Sequence, residues 1–94
     1  MHIRLLTVKF HLEGCQSLKE KRHRLAGAKK RLGKESFIAV MESGYQDLQQ
    51  TAEWCIVIMG DSAAQVAQRA AFAEQSLMEG LDARVLEIAK ERLY

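Results

Sequence analysis

The segment from Ser17 to Lys34 concentrates the basic side chains of this protein. It carries eight lysines and arginines and one histidine against a single acid, Glu20. Residues 1–34 hold ten basic and two acidic side chains, whereas residues 35–94 hold four and ten, so the net charge of +2 hides a dipolar molecule. Basic surfaces of this kind bind anions, most often nucleic acid or an acidic protein.

Helical spacing places several of these cations on one side. The apolar stripe that would pack against a core consists of Leu18, Leu25, Ala28 and Leu32. The residues that project away from it, or flank that side, form the predicted nucleic-acid-binding set: Lys19, Arg22, His23, Lys30 and Lys34. The segment contains no aromatic residue, so we expect contacts to the phosphate backbone and not to stacked bases. The alternative is an ordinary solvated helix face.

A second candidate site lies at the start of the same segment. A glycine turn, a helix N-terminus and nearby cations together suit an anion such as phosphate, which predicts an anion site at Gly14, Ser17, Lys19, Lys21 and Arg22. The alternative is plain capping, because Ser17 followed by Glu20 is a capping box. Lys21 falls at the edge of the apolar stripe, so it either snorkels or directs its cation at the loop.

Catalysis and metal binding have weaker support. His11 and Cys15 could act as base and nucleophile with Glu13 or Asp47 as orienter, but nothing supplies an oxyanion hole. An acylphosphatase-type hydrolase needs an asparagine on a central strand, and this chain contains none. The histidines and cysteines lack metal-ligand spacing, and Glu42 and Asp47 remain a loose option for a cation or a basic partner. We therefore expect no catalytic residue, no metal and no cofactor.

Length and composition favour one domain, residues 1–94, in a cytoplasmic setting. The chain is 48% hydrophobic, which is enough for one modest core. No apolar run reaches the ~18 residues of a membrane span, and no secretory signal is evident. Cys15 and Cys55 are expected to be reduced thiols, since one falls in a predicted loop and the other in an apolar strand.

The hydrophobic pattern changes between strand and helix periods along the chain. It predicts strands over 2–12, 36–43, 53–60 and 83–89, a helix after Ser17 that ends at Gly33, and a helix after Ser62 that runs to about Glu79. This βαββαβ order predicts a ferredoxin-like α+β fold, a four-stranded antiparallel sheet with two helices on one face. Leu86 and Ile88 are expected to point to the core, and Val85 to the other face.

The face of the sheet without helices would be apolar. We expect a homodimer interface there, carried by Phe37, Met41, Val57 and Met59, because apolar patches of this kind are seldom bare in monomers. A stacked base is the alternative, but the aromatic platforms of RNA-recognition domains are missing from the central strands.

Two short motifs make the chain resemble the YlxP-like family of small bacterial proteins of unknown function. The first is QSLKEKR (16 to 22) after a strand that ends in His-x-x-Gly, here His11 to Gly14. The second is Gln-Asp-Leu at 46 to 48. The chain departs from the family pattern around the second motif, with Gly44 and Tyr45 in place of an Asp-His pair and Gln49 and Thr51 in place of Trp and Arg. The resemblance implies a ferredoxin-like fold and a bacterial, cytoplasmic, translation-related setting.

Together these observations predict a non-enzymatic protein that binds RNA or a ribosomal particle through its basic first helix. The alternative is a dimeric regulatory module that holds a small molecule or anion near Gly14 to Arg22 and residues 44–50. An acylphosphatase-like hydrolase ranks last.

Overall fold

Four strands and two helices follow one another in the order βαββαβ, and the computed structural model describes all of residues 1–94. The elements are β1 (His2–His11), α1 (Leu18–Gly33), β2 (Ile38–Gly44), β3 (Thr51–Gly60), α2 (Ala63–Gly80) and β4 (Arg84–Arg92). The strands form one antiparallel sheet in the order β2-β3-β1-β4, so β1 and β3 are central. The ferredoxin-like fold expected from the sequence is confirmed.

The core lies between the sheet and the helices, and alternate residues of the central strands fill it. β1 contributes Leu6, Val8 and Phe10, and β3 contributes Trp54, Ile56 and Ile58, all fully buried. The Phe10 and Trp54 rings meet edge to face at 4.9 Å between centroids. Each such side chain stabilises the fold by about 1.5–3 kcal/mol through burial, and together they fix which face of each central strand points inward.

Both helices begin at the predicted serine caps. The Ser17 hydroxyl accepts a hydrogen bond from the Glu20 amide at 3.0 Å, and the Ser62 hydroxyl accepts one from the Gln65 amide at 3.1 Å. The apolar stripes then cover the sheet, with α1 burying Leu25, Ala28 and Leu32 and α2 burying Val66, Ala70, Ala73 and Leu77. Neither helix combines the length and the hydropathy that a membrane crossing requires.

Phe37 does not lie on the open face of the sheet, so its assignment to the dimer interface is wrong. The residue precedes β2, in the turn that follows α1, where strand alternation does not apply. Its ring packs on the helix side, 6.5 Å from the Phe72 ring between centroids, with the Arg69 guanidinium 4.2 Å above it. Phe37 is therefore an edge residue of the core.

β4 differs from the predicted alternation because it contains a bulge. Lys9 of β1 pairs with Glu87, but Phe10 pairs with Val85, which leaves Leu86 without a partner. The extra residue reverses the side on which the preceding part of the strand points. Val85 consequently packs against the core together with Ile88, whereas Leu86 is 47% exposed, the opposite of the expectation for both Val85 and Leu86.

Candidate nucleic-acid interface

The basic ridge of α1 consists of the five residues predicted to bind nucleic acid: Lys19, Arg22, His23, Lys30 and Lys34. All five side chains are exposed, and none takes part in an ion pair. At 1.5 Å per residue the ridge extends about 22 Å along the helix. Its centre contains the small residues Ala26 and Gly27, so a partner can approach the helix backbone closely there.

Two other cations of α1 face the second helix and the loops beside it. Arg24 donates to the Glu13 carbonyl at 2.9 Å and to the Asp82 carbonyl at 3.0 Å, and it pairs with the Asp82 carboxylate at 3.3 Å. Arg31 lies against the end of α2, where a Cβ added at Gly80 would collide with its guanidinium. Arg24 ties the turn after β1 to the segment before β4, so it serves the fold.

Lys21 has a structural role that the sequence did not settle. Its side chain is only 4% exposed, and its ammonium donates three hydrogen bonds of 2.7 Å, to the carbonyls of Tyr45, Leu48 and Thr51. An ammonium has three donors, so its capacity is fully used. The cation is directed at the β2–β3 connection, and not at the glycine turn around Gly14 that the sequence suggested.

The turn that Lys21 holds contains a strained residue. Tyr45 has a φ of 58°, in the left-handed region that residues other than glycine rarely adopt. Its carbonyl accepts from Lys21 and also from the Leu48 amide at 3.1 Å. Burial lowers the pKa of the Lys21 amine below the usual value for lysine, and the charge of Glu42 opposes that effect most strongly. The ammonium is therefore held by three main-chain carbonyls.

The predicted anion site is not assembled as expected. Lys21 points inward, the Ser17 hydroxyl is occupied as a helix cap, and Lys19 and Arg22 belong to the exposed ridge. Gly14 adopts a φ of 72° in an exposed turn, which gives it a conformational role. The assignment of Lys21 to anion binding is therefore wrong, because its donors are already satisfied within the protein.

Residues 12–17 and the β2–β3 loop are joined by further bonds. The Leu12 amide donates to the Gln50 carbonyl at 2.9 Å, and the Gln50 side-chain amide donates to the Cys15 carbonyl at 3.3 Å. The Cys15 thiol is fully buried and donates to the Ser17 carbonyl at 3.4 Å. A thiol in this setting is a packing group and not an accessible nucleophile. No three histidine, cysteine or acidic side chains come together in a group that could hold a metal ion.

The open sheet face carries the other three predicted interface residues. Val57 lies between Leu5 and Ala39 in the strand register, at the centre of an apolar area. Met41 and Met59 are 63% and 40% exposed. Charged residues lie toward β4, where Glu91 pairs with Leu5 and Glu87 with Lys9, and at one end of the central strands, where Lys9 pairs with Glu53. The apolar area is therefore the part of β1, β2 and β3 around Val57.

A cleft that the sequence does not predict lies between α1 and β2. It has a volume of about 300 Å³ and is lined by Arg22, Leu25, Ala26, Lys29, Glu42 and Trp54. Trp54 is fully buried, and its indole N–H is the one buried side-chain polar group without a hydrogen-bond partner. The one available clue was this sole tryptophan, placed on an apolar strand beside a strand that carries Glu42. We call this feature the α1–β2 cleft.

The sheet order and the helix placement define a small ferredoxin-like domain. A solved structure described as "Structural Genomics, protein YJCS" resembles it with a TM-score of 0.61 at 10% sequence identity, over 98% of this chain and 99% of that chain. This likeness concerns the fold alone. Residues 3–90 match the family model described as "Protein of unknown function (DUF503)", and the chain belongs to that family. A search of curated proteins finds no match.

Proposed function

We propose that this protein is a non-enzymatic RNA-binding protein that docks the basic ridge on RNA, with a ribosomal particle as the partner. The observation that carries the proposal is the absence of internal counter-charges: none of the five ridge side chains forms an ion pair. Like charges on one helix face repel each other, and an anionic partner removes that cost. A polyphosphate backbone fits a row of cations about 22 Å long.

The cellular setting in this proposal rests on the resemblance to the YlxP-like family, which is a finer assignment than the family match. The resemblance implies a bacterial cytoplasmic protein that is active in ribosome assembly or translation. Sedimentation of cell extract in sucrose gradients at low and high salt tests it. We expect the protein to migrate with ribosomal particles at low salt and to remain at the top of the gradient at high salt, because phosphate contacts are salt-dependent. Migration at the top under both conditions would contradict the ribosomal partner.

The proposal includes a homodimer formed through the open sheet face. The apolar neighbours Leu5, Ala39 and Val57 support this arrangement, since a second copy would remove them from water. The α1 ridges lie on the helix side and would stay accessible in both subunits. An RNA-binding dimer would then present two ridges, which raises its apparent affinity for a long RNA.

Val57→Lys should convert the dimer to a monomer, because it places an ammonium at the centre of the apolar area. The molar mass in solution, measured by light scattering at micromolar concentration, reports the change. Gln68→Lys, on the exposed side of α2, adds the same charge elsewhere and should leave the mass unchanged. A monomeric wild type, or a Val57→Lys variant of unchanged mass, would disprove the interface.

A further inference from the structure

The α1–β2 cleft contains a polar group that the protein leaves unsatisfied. The indole N–H of Trp54 is buried without an acceptor. Such a group costs free energy comparable to a lost hydrogen bond and calls for an explanation, often a ligand or a bound solvent molecule. The rest of the Trp54 ring is enclosed by the core, with Phe10 at 4.9 Å. Trp54 is also one of the residues that line the cleft, so the cleft is the side from which an acceptor can approach this side chain.

The other polar residues of the cleft offer complementary chemistry. Glu42 is the register partner of Trp54, so both side chains lie on the helix-covered side of the sheet as neighbours. Its carboxylate is half-buried and forms no ion pair. Arg22 and Lys29 on α1 are exposed and also unpaired. The cleft thus combines one buried donor, one carboxylate acceptor and two cations, with Leu25 and Ala26 as apolar wall.

We propose that the α1–β2 cleft binds one unpaired guanine nucleotide. Guanine presents two adjacent N–H donors and a carbonyl acceptor along one edge, which match a carboxylate beside an indole N–H. Glu42 accepts from the two donors, Trp54 donates to the carbonyl, and the phosphate lies on Arg22 and Lys29. The volume of about 300 Å³ is at the lower end of the range for small-ligand sites.

The nucleotide can come from RNA or from solution, and the RNA source rests on the function proposed above. Arg22 belongs both to the cleft and to the basic ridge, so an RNA strand along the ridge passes the mouth of the cleft. Sequence-specific RNA recognition targets unpaired nucleotides whose base edges are free. The ridge would then supply affinity and the cleft would supply preference for a base.

Trp54 provides the measurement, because it is the sole tryptophan and its indole N–H gives a single resonance in ¹⁵N-edited NMR spectra. Titration with GMP should shift this resonance in a saturable manner, and UMP should bind about tenfold more weakly. Glu42→Gln should remove that preference. Lys29→Ala, an exposed substitution without risk to folding, should weaken GMP but leave guanosine unchanged. A resonance that moves with neither GMP nor a guanine-containing hexaribonucleotide, or that moves equally with UMP, would overturn the proposal.

The same measurements distinguish failure of the guanine site from failure of RNA binding by the basic ridge. The Lys30→Glu, Lys34→Glu double variant alters the ridge away from the cleft lining and should retain GMP binding. If a uridine-only hexamer and a guanine-containing hexamer bind the ridge with equal, salt-dependent affinity while the indole resonance stays fixed, the guanine site is wrong and RNA binding stands. If GMP shifts the resonance but neither hexamer binds, the site is one for a free nucleotide and the RNA-binding function is wrong.

Discussion

Reversal of Lys30 and Lys34 to glutamate is expected to abolish association with RNA and ribosomal particles. The two side chains project from the same side of α1, and both are exposed and unpaired, so each reversal replaces attraction to phosphate with repulsion. Each phosphate contact contributes about 0.7 to 0.9 to the slope of log affinity against log salt concentration. The double variant should therefore lose about one to two units of slope, as measured by fluorescence anisotropy with labelled RNA over a salt series.

A matched control distinguishes the effect of the ridge on RNA binding from the effect of a change in net charge. Arg84→Glu with Arg92→Glu changes the net charge by the same amount but acts on β4, at the edge of the sheet opposite β2. This control should bind RNA far better than the ridge variant. Both variants should unfold within about 0.5 kcal/mol of the wild type, as is usual for surface substitutions. Equal losses of binding in the two variants, or wild-type binding without salt dependence, would refute the ridge as the interface.

Replacement of Lys21 by methionine should destabilise the fold more than any exposed substitution on α1. The change keeps the apolar stem but removes three donors, which leaves the carbonyls of Leu48 and Thr51 without the ammonium and weakens the hold on the strained turn at Tyr45. Loss of partners by part-buried groups predicts a decrease of about 2–4 kcal/mol in the free energy of unfolding. Urea denaturation followed by circular dichroism measures it.

Lys19→Met is the matched control, since Lys19 lies two residues away on the exposed side of the same helix. It should alter the free energy of unfolding by no more than about 0.5 kcal/mol. Limited proteolysis offers an independent readout, because the loop over 45–50 should be cleaved faster in the Lys21→Met protein. A Lys21→Met variant as stable as Lys19→Met would show that the three hydrogen bonds contribute little.

The parts of the fold that followed from sequence are those governed by local periodicity. Alternation along β1 and β3 and the serine caps of both helices depend on neighbouring residues, so they could be predicted. The orientations of Phe37 and Leu86 could not be predicted from the sequence. That of Phe37 depends on where β2 begins, and that of Leu86 depends on a register shift in β4. Both features are set by pairing with a strand that is distant in the sequence. A bulge inserts one extra residue into a strand, and the amino-acid composition does not reveal it.

The features of the candidate site also divide into those that local spacing predicts and those that depend on contacts between distant parts of the sequence. The exposure of Lys19, His23, Lys30 and Lys34 followed from helical spacing. The partners of Lys21 did not, since they are main-chain carbonyls more than twenty residues away in the sequence. The α1–β2 cleft also combines residues from three elements, α1, β2 and β3. Contacts of this kind become visible only once the topology has brought those elements together.

The three bonds from Lys21 constrain the backbone of the β2–β3 loop and not its side chains. Every residue type has a main-chain carbonyl, so an ammonium that binds only carbonyls places no demand on the side chains at 45, 48 and 51. Apart from position 45, where the φ of 58° disfavours most residue types, the β2–β3 loop can therefore exchange its side chains while Lys21 maintains the shape of the loop. Lys21 thus fixes the path of the loop backbone without bonding to any of its side chains.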